Sequence, residues 1–196
     1  MFETAAQVFL ENGFTGATVQ EVADRMGMLK GSLYYYIKSK DELFYRIISD
    51  LYEQMAPSLK LDRAEGDAVE RLRTFVRQHL ELIVANRAKF AIFYADFRFL
   101  SGAQKRRVLG WRAKYEAVFA SLVSQAIDAG DIDRSLDVAL FSRSWLGLLN
   151  SLYLWYREEG GSTPGELADT YVTWMLDGVG AGHVAPASGR GGSAKR

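Results

Sequence analysis

Apolar residues recur every three or four positions through most of this chain, and no stretch alternates at the period of two that a half-buried strand requires. Met1–Asn12 places Phe2, Ala5, Ala6, Phe9 and Leu10 on one helical face, with Gly13 as its stop. Thr18-x-x-Glu21 then has the spacing of a capping box and opens a short helix with Val22, Ala23 and Met26 apolar, ended by Gly27. After that turn, Leu33 and Ile37 lie i,i+4 on one face and leave Lys30, Ser32, Tyr34 and Tyr35 pointing elsewhere. Ser39-x-x-Glu42 is a second capping box, starting a helix that runs to about Met55, and Pro57 ends it. A small residue at Ala23 and a glycine four positions later let two helices cross closely, as a helix-turn-helix needs.

The larger remainder follows the same period. Asp67-x-x-Glu70 caps a helix with Val69, Leu72, Phe75, Val76, Leu80 and Ile83 apolar, and Asn86 is placed to cap the next, through Phe90, Phe93, Phe97 and Leu100. Ser101-x-x-Gln104 begins a long helix with Trp111, Tyr115, Phe119, Leu122 and Ala126, stopped at Gly130. Ser135 is placed to cap Leu136–Glu159, and Thr163-Pro164-x-Glu166 opens a final helix through Leu167, Tyr171, Trp174, Met175 and Val179. From about residue 180 the chain turns rich in Gly, Ala and Ser with a Lys-Arg end, the composition of a flexible tail. The expected fold is all-α, with about nine helices. A three-helix helix-turn-helix unit spans residues 1–45, a connecting fourth helix residues 39–56, a larger helical domain residues 46–180 and a tail residues 181–196.

Composition narrows the function classes. With 48% hydrophobic residues in 196 the chain can bury a real core, while no run reaches the roughly 18 apolar residues of a membrane span. The absence of cysteine removes disulfides, thiolate metal sites and cysteine nucleophiles together, and fits a reducing cytoplasm. Net charge is zero, and residues 1–50 are slightly acidic: Arg25, Lys30, Lys38, Lys40 and Arg46 face Glu3, Glu11, Glu21, Asp24, Asp41, Glu42 and Asp50. Charge alone would not suggest a nucleic acid partner, yet Lys30, Lys38 and Lys40 fall within one short stretch, and phosphate contacts need local positive charge.

The N-terminal stretch resembles the DNA-binding domain of TetR-type transcriptional regulators. The likeness rests on Ala5/Ala6, Phe9, Gly13-Phe14, Thr18-Val19, Val22-Ala23, Gly27, Lys30-Gly31-Ser32-Leu33-Tyr34 and Lys40-Asp41-Glu42-Leu43, in the family's order and spacing. It departs at Leu29, where a small polar residue is usual, and at Ile37, where Phe is usual. The resemblance implies backbone contacts to operator DNA from Thr18, Tyr34, Tyr35 and Lys40, base-facing positions at Lys30, Gly31 and Ser32, and an apolar contact from Leu29 to a thymine methyl. Members of this family commonly carry a basic arm before the first helix, whereas this sequence opens inside that helix. Either the natural start lies upstream or binding does without the arm.

The resemblance also implies a small-molecule effector in the larger domain, with no other cofactor. Its density of aromatics reads as ordinary core or as the lining of an apolar cavity. The cavity candidates are Phe90, Phe93, Phe97, Trp111 and Tyr115, with Arg112, Asn150 and Tyr153 as polar anchors. The segment Leu149–Gly178 further resembles regulators of fatty-acid and steroid breakdown, whose effectors are acyl-CoA thioesters; Lys105, Arg106, Arg107 and Arg157 are candidate partners for such a ligand's phosphates. Ser144, Gly147 and Ser151 form a small-residue stripe beside Trp145, Leu148, Leu152 and Trp155. With Tyr171, Trp174 and Met175 they are the candidate homodimer interface, the competing reading being an interior helix of a monomer.

Catalysis is the opposing class. Only His79 and His183 are present, with no nucleophile elbow, phosphate-cradling glycine loop or HExxH. The sequence therefore reads as a cytoplasmic, homodimeric, ligand-responsive repressor released from a palindromic operator by a hydrophobic molecule, with no membrane partner. The alternative is a dimeric helical interaction protein that has lost DNA binding.

Overall fold

The computed structural model describes residues 1–179; the expected tail and His183 lie outside the described residues. The described residues form ten α-helices and no strand: α1 Phe2–Gly16, α2 Val19–Arg25, α3 Lys30–Leu33, α4 Lys40–Gln54, α5 Ala68–Ala85, α6 Arg87–Asp96, α7 Gly102–Ala129, α8 Val138–Asn150, α9 Leu152–Trp155 and α10 Pro164–Val179. Short 3-10 turns occupy Ser58–Arg63, Phe97–Phe99 and Glu158–Gly160. Taking the single turn α9 with α8, these are the nine expected helices. The break between them falls at Ser151, whose hydroxyl donates to the Leu148 carbonyl at 2.6 Å, a local bond that competes with the helical ladder.

Most expected caps are present. Thr18 and Thr163 each accept from the backbone N–H of the glutamate three residues on, which reaches back to the threonine's own N–H. Ser39 and Asp67 accept from Glu42 and Glu70. Three expectations are corrected. Asp137, not Ser135, caps α8. Ser101 stands at the α7 N-cap without a side-chain bond. Asn86 precedes α6, but its amide is held by Gln54, Leu82 and Lys89.

The apolar cluster around α1–α4 is not closed on itself. Phe9, Phe14, Leu33, Ile37 and Phe44 share it with Ile92, Phe93, Leu100 and Val108 from α6, α7 and the chain between them. Helix α6 thereby lies along α1, and two polar ties fix its ends. At one end Lys89 is 3% exposed, and its ammonium donates to Asp50 at 2.7 Å and Asn86 at 2.9 Å and pairs with Glu3. Three N–H groups meet three acceptors, so the buried cation is fully satisfied. Burial pulls its pKa down, but bonding to Asp50 and Glu3 outweighs that and holds it raised. At the other end Gly13 takes φ 65°, ψ 167°, breaking the α1 ladder so that the Phe14 N–H donates instead to buried Asp96 at 3.0 Å. The second cluster joins α5, α7, α8, α9 and α10, with α10 packed on α5 through Ala168, Tyr171, Val172 and Met175 and tied there by Asp169 to Arg73 and Arg77.

Asp96→Ala leaves the Phe14 N–H buried without an acceptor, so unfolding free energy measured by urea denaturation should fall by about 1–3 kcal/mol, with helical content retained in the native baseline.

Candidate DNA-reading surface and effector cavity

Helix α2 ends in a Schellman-type turn. Gly27 takes φ 65° and the Met28 N–H bonds the Ala23 carbonyl at 2.9 Å, which swings the chain into α3. The helical hydrogen bonds of α3 give way after one turn to tighter ones, Tyr35 to Ser32 and Tyr36 to Leu33, before Ile37 bonds the Leu33 carbonyl at the helical spacing, so the regular part of the reading element is shorter than the apolar spacing suggested. Leu33 and Ile37 are fully buried as expected, Ile37 filling the place where the resembled family has Phe. Their anchoring turns Leu29 (80% exposed), Tyr35 (90%), Tyr36 (56%) and Tyr34 (44%) outward beside Lys30, Gly31 and half-buried Ser32. Neither Lys30 nor Lys38 has a salt-bridge partner among the described residues.

Two of the expected contacts are differently employed. Lys40 donates to the carbonyls of Thr15 and Ala17 at 3.2 and 3.0 Å and lies over the Phe14 ring, which leaves one ammonium N–H for a phosphate. Thr18 is committed to its cap, its hydroxyl also donating to Glu21.

In the larger domain a cavity of about 540 Å³ opens between α4, α5, α6, α7 and α8–α9. It takes in Phe90, Phe93, Arg112, Tyr115, Asn150 and Tyr153 of the expected lining. Phe97 and Trp111 are not among its walls: Phe97 packs in the N-terminal cluster, and Trp111 stacks on Tyr45 and meets Tyr52 at a tilt beside a separate hollow of about 200 Å³. Sequence reasoning missed Leu51 and Tyr52 from α4 and Met55 at its C-terminal end, because the helix's apolar period looked like a single core face. It also left out His79 and Arg143.

Buried and exposed ends differ in chemistry. At the closed end His79 lies 3.0 Å from the Tyr115 hydroxyl by Nδ1 and 3.2 Å from Asn150 Oδ1 by Nε2. Burial pushes its pKa down to about 4, against the weaker pull of the Asn150 bond, so the ring is neutral. Burial also raises the Tyr52 phenol and pushes Tyr94 up to about 12, keeping both protonated as donors. At the mouth stand Arg112 and an Arg143–Glu116 pair at 2.9 Å. The other cations expected there, Arg106 included, are not among the walls: Lys105 lies over Phe97, Arg107 donates to Tyr45, and Arg157 bonds the Tyr156 carbonyl.

The expected dimer face divides. Tyr171 and Met175 are buried in the protomer's own core, because α10 packs that side against α5. Gly147 and Ser151 border the cavity mouth. Ser144, Trp155 and Trp174 stay exposed, with Leu140 and Leu148 added to the apolar surface.

Comparison with known proteins decides the lineage. The family model described as "Bacterial regulatory proteins, tetR family" matches residues 2–47, and "Tetracyclin repressor-like, C-terminal domain" matches residues 65–179. The chain belongs to the TetR family. It is a helix-turn-helix transcriptional regulator, and no described helix is long and apolar enough to cross a membrane. It is 25% identical to the HTH-type transcriptional repressor KstR2 of Rhodococcus jostii (strain RHA1), over 93% of this chain and 91% of that protein. The structure of the ketosteroid transcriptional regulator KstR2 of Mycobacterium tuberculosis superposes with a TM-score of 0.82 at 25% identity, covering 92% of this chain and 93% of that one. AibR, solved in complex with isovaleryl coenzyme A and operator DNA, superposes with a TM-score of 0.75 at 28% identity, covering 89% and 95%.

The double variant Lys30→Ala, Tyr34→Ala should weaken operator binding by roughly 2–4 kcal/mol with the thermal midpoint unchanged; a native affinity by fluorescence anisotropy would reject the α3 assignment. His79 supplies a second expectation. Its folded pKa lies below the unfolded one, so the stability from keeping it neutral is present above pH 6.5 and is lost as pH falls towards 4. Unfolding free energy should drop by about 2 kcal/mol between pH 7 and pH 5, and His79→Phe should flatten that slope.

Proposed function

We propose that this regulator is a cytoplasmic homodimeric repressor acting by binding and not by catalysis, which leaves a palindromic operator when an acyl-CoA thioester occupies the cavity. The observation that carries this is the double duty of α6. Phe90, Phe93 and Tyr94 of this helix line the cavity, while Lys89, Ile92 and Asp96 hold α1 of the reading unit. A ligand that spreads the cavity walls therefore acts on the element to which the DNA-reading helices are fastened.

The size and polarity of the cavity support the ligand class. About 540 Å³ of mostly apolar space suits an acyl chain, and the arginines at the mouth suit the anionic part of the ligand. AibR, with isovaleryl coenzyme A in its complex, shares this fold. Pairing through the exposed apolar surface of α8–α10 would set two α3 elements at the ~34 Å repeat of successive major-groove turns. The ligand must favour a dimer geometry that no longer fits that repeat, since one that binds both geometries equally shifts nothing.

Genomic fragments selected by the protein supply the operator for the test. Decanoyl-CoA should then raise the operator Kd by tenfold or more, given the ~1.4 kcal/mol per decade of differential binding this requires. No change at high micromolar ligand would reject the acyl-CoA effector while leaving operator binding in place.

A further inference from the structure

One polar group on the cavity wall is oriented from behind. Asn150 lines the cavity, and its Oδ1 is 3.2 Å from His79 Nε2. A carboxamide oxygen only accepts, so Nε2 carries the hydrogen, and the neutral ring's Nδ1 accepts from the Tyr115 hydroxyl 3.0 Å away. With Oδ1 held towards His79, the amide's NH2 arm is turned away from it. That NH2 makes no hydrogen bond among the described residues, and it is not among the polar atoms sealed in the core.

The position of Asn150 along the cavity is equally specific. His79, Phe90 and Tyr115 form the buried end, while Gly147, three residues before Asn150, and Ser151, the residue after it, border the mouth with Arg112 and Arg143. A ligand with its hydrocarbon inside and its charged part at the arginines carries its junction beside Asn150. In an acyl thioester that junction is a carbonyl.

Resting on the acyl-CoA reading above, we propose that Asn150 Nδ2 donates to the thioester carbonyl oxygen and makes the cavity select acyl over alkyl ligands. His79 and Tyr115 act as positioning residues that fix which arm of the amide faces the ligand. A ligand without the carbonyl leaves this donor desolvated and unpaired, which is the kind of defect that discriminates most sharply between analogues.

Calorimetric titration of the full chain with three probes tests this: decanoyl-CoA, its thioether S-decyl-CoA, in which CH2 replaces the carbonyl, and free decanoate. Decanoyl-CoA should bind about tenfold more tightly than the thioether. Asn150→Leu should bring that ratio close to one. His79→Phe should shrink it while S-decyl-CoA still binds, whereas a merely structural defect would weaken both ligands alike and leave the ratio standing. Equal affinities on the wild-type protein would overturn the carbonyl contact and leave the acyl-CoA reading intact. Decanoate binding as tightly as decanoyl-CoA would overturn the thioester assignment in favour of a carboxylate. Binding of none of the three would overturn the inference together with the effector reading beneath it.

Discussion

The docking of α1 along α6 is the constraint on which this architecture depends. A buried ammonium is costly unless every N–H is matched, and Lys89 is matched by one acceptor from each of three places: Glu3 on α1, Asp50 on α4 and Asn86 ahead of α6 itself. Seven residues on, Asp96 takes the Phe14 N–H that the Gly13 break has released. Between these ties the contact is apolar, with Ile92 and Phe93 in the cluster of Phe9, Phe14 and Phe44, and Phe14 stacked on Phe99 at 4.6 Å. Polar ties at both ends set the register that apolar packing alone leaves loosely specified. The reading unit is thus carried as a body by a helix of the other domain.

That arrangement gives α6 its place in a switch. Its cavity side is soft, since the Tyr94–Tyr153 stack and the Tyr52–Phe93 edge contact leave open space beside them. Its α1 side is close-packed and charge-matched. Displacement from the cavity side is therefore passed on to α1 more readily than absorbed, because a filled core deforms less easily than the wall of a cavity. Helix α4 belongs to the same linkage, with Leu51, Tyr52 and Met55 on the cavity and Leu43, Phe44 and Ile47 in the reading unit's core.

Local punctuation was legible in the sequence because caps act over three residues. Thr18, Ser39, Asp67 and Thr163 all sit where their spacing put them, and the i,i+4 pair Leu33 and Ile37 correctly turned the tyrosines outward. What escaped was long-range. The Phe14–Asp96 bond joins residues 82 positions apart, and nothing in a helical period announces such a partner. A signal was nonetheless present: Lys89, Ile92, Phe93 and Asp96 share one helical face, and a cation and an anion in that register mark buried charges. Tyr171 and Met175 were misassigned for a related reason. Apolarity on two sides of α10 told of two contacts but not which side α5 already occupied. Phe97 failed as a cavity residue because the helical period was carried past Asp96, where the chain changes to a 3-10 turn.

The acidic balance of the reading unit resolves once its carboxylates are placed. Glu3 and Asp50 are paired with Lys89, Glu11 is held by Arg25 at 2.7 Å, and Glu21 and Glu42 are bound to backbone N–H groups at helix starts. The pKa of Glu42 is lowered first by the Lys38 N–H, and that of Glu11 first by Arg25, so these charges are compensated where they stand. Asp24 is bound by Gln20. Among the described residues the α3 side keeps Lys30 and Lys38 without such ion-pair partners, beside three exposed phenol rings. Net charge over residues 1–50 misled because six of the seven carboxylates it counted are already engaged in holding the unit together, exposed Asp41 being the exception among the described residues. The surface offered to a phosphate backbone is modestly cationic and rich in hydroxyl donors. Pairing of two such units is what gives so small a patch a stable hold on DNA.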